Sequence, residues 1–210
     1  MNQPEEILLQ AGRILPVLEE FYSLQGEGYN TGKAAYFIRI GGCDVGCRWC
    51  DVKEAWNAET IPPVSTDAVI KRAASFPAKA IVVTGGEPLT YNLDYLCEGL
   101  KENKISRFLE TSGSCALSGE WEWICFSPKK EAPPVREMYQ VADELKVIIF
   151  NRDDFAWAEE NRAKMDPSVQ FYLQPEWSRR NAMMTEIVNY IKSNPGWKIS
   201  LQSHKYMHIP

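Results

Sequence analysis

The chain of 210 residues is 45% hydrophobic and carries a formal net charge of −5. That is enough apolar content for one domain, residues 1–210, with a real core, and the negative charge argues against a nucleic-acid-binding surface. No apolar run approaches the roughly 18 residues of a membrane span, and Met1-Asn2-Gln3-Pro4-Glu5-Glu6 lacks the basic start of a signal peptide, so the expected compartment is the cytoplasm, where thiols stay reduced.

Residues 1–15 form a short amphipathic head. Leu18 to Leu24 alternates and reads as a strand entering Gln25-Gly26-Glu27-Gly28, a loop whose glycines let backbone approach a ligand. The apolar run 35–40 reads as a second strand. Val64 to Phe76 has helical spacing, with Ser65 or Thr66 available as N-cap. From there a short apolar run leads repeatedly into a polar or Gly/Pro motif. Ala80–Val83 leads to Thr84-Gly85-Gly86-Glu87-Pro88, Arg107–Leu109 to Glu110-Thr111-Ser112-Gly113, and Trp123–Phe126 to Ser127-Pro128-Lys129. Glu144–Phe150 follows, then Val169–Leu173 before Gln174-Pro175, and Trp197–Leu201 before Gln202-Ser203-His204-Lys205. Helical patterns at 91–103, 152–164 and 178–193 separate several of these runs. Strands alternating with helices predict an α/β fold with a mostly parallel sheet, whose polar motifs meet at the strands' carboxyl ends. A complete eight-stranded barrel takes about 250 residues, so a barrel built from this chain is trimmed.

Between the second strand and the first helix lies Cys43-Asp44-Val45-Gly46-Cys47-Arg48-Trp49-Cys50, a C-x3-C-x2-C loop. Three thiolates there can hold three irons of a cubane [4Fe–4S] cluster and leave the fourth open to an outside ligand. Two other readings stand beside it. A structural zinc wants a fourth protein ligand, and His204 and His208 lie far off in sequence. A disulfide suits secreted chains. Cys97, Cys115 and Cys125 are scattered and read as small buried hydrophobes. On the residues alone, Gly85-Gly86-Glu87-Pro88 is a turn and Arg39 reads equally as a surface strand arginine.

The cysteine spacing, closing on Trp49 and Cys50, resembles the signature of the radical S-adenosylmethionine enzymes. Together with Leu24-Gln25-Gly26-Glu27-Gly28 it is similar to the 7-carboxy-7-deazaguanine synthase family, from about Phe21 to the last residue. The resemblance implies an incomplete, TIM-like α/β barrel with a radical S-adenosylmethionine core. It places a [4Fe–4S] cluster on Cys43, Cys47 and Cys50, with Trp49 shielding it. It places S-adenosylmethionine against Trp49, Asp51, Gly86, Glu87, Ser112, Ser127, Pro128, Lys129, Gln174 and Pro175. The implied reaction converts 6-carboxy-5,6,7,8-tetrahydropterin to 7-carboxy-7-deazaguanine with loss of ammonia, by hydrogen abstraction at C6 and ring contraction, in queuosine biosynthesis. Substrate contacts fall on Leu24, Gln25, Gly26, Glu27, Arg39, Thr84, His204 and Pro210, with Arg39 clamping the carboxylate, Gln25 and Glu27 taking the pterin edge and the terminal carboxylate of Pro210 reaching the substrate. No side chain acts as a strong base before the late steps. A flavodoxin- or ferredoxin-type electron donor and a homodimer are implied as partners. The sequence departs from the family at one place. The family's Asp-Thr, whose hydroxyl helps hold a magnesium ion, is Asp51-Val52 here, and valine cannot ligate a hard cation. Two further functions share the cysteine loop: an activase installing a glycyl radical on a partner protein, and an iron–sulfur or zinc module without catalysis.

Overall fold

A computed structural model describes residues 3–210; the first two positions of the amphipathic head lie outside the described residues. The rest of the head is an exposed helix, α1 (Gln3–Gln10). It leads into β1 (Ile14–Leu24), which pairs antiparallel with β2 (Ala34–Ile40) through a register shift between Val17 and Glu19. A short β3 (Pro63–Ser65) pairs antiparallel with the start of β1, where helix was expected from residue 64. Helix α2 (Thr66–Ser75) then begins without a side-chain cap, because the Thr66 hydroxyl donates instead to the Gly12 carbonyl at 2.6 Å. It ends where Pro77 forces Phe76 into extended backbone.

The expected alternation follows: β4 (Ala80–Gly85), α3 (Asp94–Glu102), β5 (Ser106–Thr111), β6 (Trp123–Phe126), a single turn α4 (Met138–Val141), β7 (Glu144–Ile149), α5 (Asp154–Arg162), β8 (Gln170–Pro175), α6 (Arg180–Ser193), β9 (Lys198–Ile199) and α7 (Ser203–Met207). The sheet order is β3-β1-β2-β4-β5-β6-β7-β8-β9, and every neighbouring pair from β2 to β9 is parallel. The sheet does not close, as expected of a trimmed barrel. The saving in length is local: no helix joins β5 to β6, and only α4 joins β6 to β7.

The two faces of the sheet differ. Ile81, Val83, Leu109, Ile124, Leu145, Val147, Ile149, Phe171 and Leu173 are buried in the main core together with Val69, Leu96, Leu100, Phe155 and Ile187 of the helices. Within each helix the buried residues recur at spacings of three or four, as Val69/Ala73, Leu96/Leu100, Phe155/Ala158 and Met183/Ile187 do, the apolar stripe of a helix packed on a sheet. On the opposite face a small cluster of Ala35, Phe37 and Val82 packs separately. Past it, the alternate positions turn polar: Arg39, Thr84, Glu110, Lys146 and Gln174 face the barrel interior. Trp197 stands just before β9, 1% exposed, with its indole N–H donating to Glu159 at 2.7 Å. Trp197→Ala is expected to cost about 3–5 kcal/mol through lost burial and a cavity, read as a lower urea midpoint.

The gap between the sheet's two ends is bridged by the Gln25–Gly28 loop and the last ten residues. Ser203 donates its backbone N–H (2.9 Å) and hydroxyl (2.8 Å) to the Gly26 carbonyl, and the Gly28 N–H donates to Ser200 Oγ at 2.9 Å. Because β1 runs antiparallel to β2, this loop lies at the opposite end from the cysteine loop. Tyr29 stacks on Trp123 at the start of β6 with centroids 4.4 Å apart.

Candidate active site

The carboxyl ends of β2 and β4 touch directly, and this fixes the cysteine loop. The Gly86 N–H donates to Ile40 O at 2.8 Å, and the Glu87 N–H to Gly42 O at 2.9 Å. A Cβ on Gly86 would lie 2.3 Å from the Gly42 carbonyl oxygen, and one on Gly85 (φ +149°) would lie 2.0 Å from Ile40 O. Both glycines are therefore required by strand contact, whatever else they serve. On the far side the Gly42 and Cys43 N–H groups donate to Ala55 O and Trp56 O.

Cys43, Cys47 and Cys50 are free thiols, each half-buried, on one wall of an open cleft. Burial pushes the Cys47 thiol up to about 11 and raises Cys43, with the Lys129 ammonium opposing the effect at Cys47. Three soft donors on one wall suit a cluster that displaces their protons on binding. Trp49 stacks on Phe150 with centroids 5.7 Å apart, closing one side.

Of the residues expected around the cofactor, Trp49, Asp51, Gly86, Ser112, Ser127, Lys129, Gln174 and Pro175 line this cleft, whereas Glu87 and Pro128 are buried behind it. The Glu87 carboxylate accepts from the Leu89 N–H (3.1 Å), Thr111 Oγ1 (2.6 Å), the Ser112 N–H (2.8 Å) and Ser112 Oγ (2.5 Å). It ties the end of β4 to the end of β5 and holds Ser112 in place. Lys129 Nζ donates to Ser127 Oγ at 2.7 Å, and burial pulls its pKa down.

A second cleft adjoins the first; Glu27, Arg39, Asp51, Val52, Thr84, Glu110, Trp177 and Gln202 line both. Leu24, Gln25, Gly26, Glu27, Arg39, Thr84, His204 and Pro210 all line it. Arg39 Nε donates to Glu19 on β1 at 2.5 Å, which orients the guanidinium. The His204 ring packs against Gly26, where a Cβ would lie 2.2 Å from Nδ1, and burial lowers its pKa, favouring the neutral ring.

Lys146, Glu110, Gln202 and Trp177 had not been expected in the site. Lys146 is only 5% exposed, and its Nζ donates to Glu27 Oε2 at 2.5 Å and to Glu110 Oε2 at 3.3 Å. Burial alone would raise the Glu27 pKa. The Lys146 ammonium and hydrogen bonds from Lys146, Gln174 and Gln202 outweigh it and hold the carboxyl down at about 2. Gln25 completes the set, donating to Glu110 Oε1 at 2.7 Å and accepting from the Glu27 N–H at 3.0 Å. A signal for Lys146 was present: Glu144 and Lys146 stand two apart in an otherwise apolar strand, hence on one face.

Residues 37–151 match the Radical SAM superfamily. The chain is 53% identical over 205 residues to 7-carboxy-7-deazaguanine synthase of Flavobacterium psychrophilum, covering 98% of this chain and 97% of that protein. It is 44% identical to the protein of that name from Synechocystis, over 92% of this chain and 93% of the relative. Its fold is similar to the crystal structure of QueE from Escherichia coli, with a TM-score of 0.78 and 31% identity over 97% of this chain and 100% of that one. With its cysteine wall beside a polar cleft on an open, mostly parallel sheet, the chain belongs to the 7-carboxy-7-deazaguanine synthase family of the radical S-adenosylmethionine superfamily.

Proposed function

We propose that the protein converts 6-carboxy-5,6,7,8-tetrahydropterin to 7-carboxy-7-deazaguanine with loss of ammonia, as a carbon–nitrogen lyase of queuosine biosynthesis. The observation that carries this reading is the shared wall: the cysteine cleft and the cleft lined by Glu27, Arg39 and His204 have eight residues in common. A ligand in one lies directly against a ligand in the other. A pocket of small-molecule size also suits a pterin better than the protein partner of an activase.

Cys43, Cys47 and Cys50 would hold the [4Fe–4S] cluster, and Gly86, Ser112, Ser127, Lys129, Gln174 and Pro175 would line the S-adenosylmethionine site. Bound together, the two groups would supply radical hydrogen-atom abstraction at C6. The chain's own residues orient the substrate and keep water out. Glu27, ionised and fixed by Lys146 and Gln202, accepts the parallel N–H groups of the aminopyrimidinone edge. Arg39 pairs with the substrate carboxylate. The Lys146 ammonium holds the Glu110 carboxylate beside the ring. Trp49, Phe150 and Trp177 wall off solvent. A magnesium ion does not fit the residues present: the Val52 side chain offers no oxygen, its carbonyl accepts from the Ala55 N–H, and the neighbouring Asp51 Oδ2 already accepts from Lys205 and Gln202. An external one-electron donor of the flavodoxin or ferredoxin type, a homodimeric assembly and a cytoplasmic setting complete the reading.

Arg39→Lys keeps the charge but loses the planar fork. It is expected to weaken pterin binding by about 1.5–3 kcal/mol with S-adenosylmethionine binding unchanged, as titration calorimetry would read. The whole reading is tested by anaerobic incubation of cluster-loaded protein with dithionite, S-adenosylmethionine and the carboxypterin. Mass spectrometry should show the carboxydeazaguanine; cofactor cleavage with the pterin left intact would refute it.

A further inference from the structure

The wall of the substrate cleft beside the cysteine loop carries a fixed ammonium, paired with a carboxylate. Lys205, on α7, donates through Nζ to Asp51 Oδ2 and lies 3.3 Å from Gln202 Oε1. The same ammonium sits 4.8 Å from the centroid of the Trp177 ring, a cation–π contact. Three groups from three segments therefore hold one flexible side chain, whose rotamer entropy is lost before any ligand arrives. Lys205, Asp51 and Val52 all line the second cleft, next to His204 and Pro210.

A divalent cation at this wall meets three obstacles. Val52 presents only methyl groups where an oxygen ligand is needed. Asp51 Oδ2 is engaged by two donors. The Lys205 ammonium already occupies the place beside the Asp51 carboxylate that a second cation would take. An ammonium has three N–H donors; with two turned to Asp51 Oδ2 and Gln202 Oε1, one is left to donate to an oxygen of an anionic substrate and help fix its position, as the metal would. We propose that this chain binds and positions its substrate without a divalent cation, and that Lys205, set by Asp51, Gln202 and Trp177, is the substrate-facing cation at Val52. The inference rests on the carboxypterin reading given above.

The test is substrate affinity, measured by anaerobic equilibrium dialysis of the cluster- and S-adenosylmethionine-loaded enzyme. Carboxypterin binding is compared after chelation and after adding back magnesium, for the native protein, Lys205→Met and Val52→Thr. The native dissociation constant is expected to be the same with and without magnesium. Lys205→Met should weaken binding about tenfold or more, as loss of a charged hydrogen bond does, and magnesium should not restore it. Val52→Thr, nearly the same shape with a hydroxyl added, should gain a magnesium response that the native protein lacks. Native binding that needs magnesium, a response equal in native and Val52→Thr proteins, or normal affinity in a folded Lys205→Met protein would each overturn the inference while leaving the lyase reading intact. No carboxypterin binding under any condition would overturn both.

Discussion

Replacing Cys47 by alanine is expected to abolish reductive cleavage of S-adenosylmethionine, the largest single effect any substitution in this chain should have. Among the described residues the three cysteines are the only soft donors on the wall of the first cleft, and a cubane left with two thiolates loses one of the three irons' anchors. Cys43→Ala and Cys50→Ala should behave alike. The other thiols cannot substitute. Cys97 and Cys125 are buried, Cys115 is half-buried, and none lines this cleft. Burial pushes the Cys97 thiol up to about 12 and raises Cys125 well above the ordinary range, so both stay protonated small hydrophobes. Their replacement by alanine should leave cluster content and cofactor cleavage close to native. Iron and sulfide analysis with 5′-deoxyadenosine formation measures both sets. A Cys47→Ala protein with a full, active cluster would contradict the assignment.

Lys146→Met should lower stability by about 3–5 kcal/mol, because it leaves the part-buried Glu27 and Glu110 carboxylates without their ammonium. Glu27 and Glu110 both turn toward Lys146 Nζ, and Glu27 is 15% exposed. The pH dependence follows from Glu27. Its carboxyl is held at about 2 in the folded protein against 4.5 for the free group. A depressed carboxyl stabilises the fold above its unfolded pKa, and that contribution is lost as pH falls from about 4.5 toward 2. Without Lys146 the depression disappears, so acid unfolding should begin at higher pH than in the native protein. Adding Glu27→Gln to the variant should recover part of the loss, since both charges are then gone. Urea midpoints across pH would show this; identical midpoints for Lys146→Met and native protein would mean the ion pair contributes nothing.

How much of this was legible in the sequence depended on whether the signal was local. The apolar runs from β4 to β8 and the motifs after them could be read directly, because β-branched runs broken by Gly, Pro and polar residues mark parallel strands and their carboxyl ends. The cysteine spacing was equally local. Lys146 was not read as a site residue although it shares a face of β7 with Glu144, because both faces of that strand are buried and the run that follows, Val147 to Ile149, is apolar. Nor was the use made of Glu87. Its acid group sits in a ligand-like motif, but Thr111 and Ser112, more than twenty positions away, take up its oxygens. The Gln25–Gly28 loop was read as approaching a ligand, and it lines the second cleft. That it enters from the far end of the barrel depends on the antiparallel pairing of β1, a register no single stretch encodes. The short β3 was masked by the helical pattern that follows it.

The most direct test of the account follows one hydrogen atom. Carboxypterin carrying deuterium at C6 is turned over anaerobically by the native protein with dithionite and S-adenosylmethionine, and the 5′-deoxyadenosine is analysed by mass. The account predicts deuterium in the 5′-deoxyadenosine together with formation of the carboxydeazaguanine. Unlabelled 5′-deoxyadenosine beside unchanged pterin would contradict it, because the two clefts would then not bring the substrate's C6 to the radical.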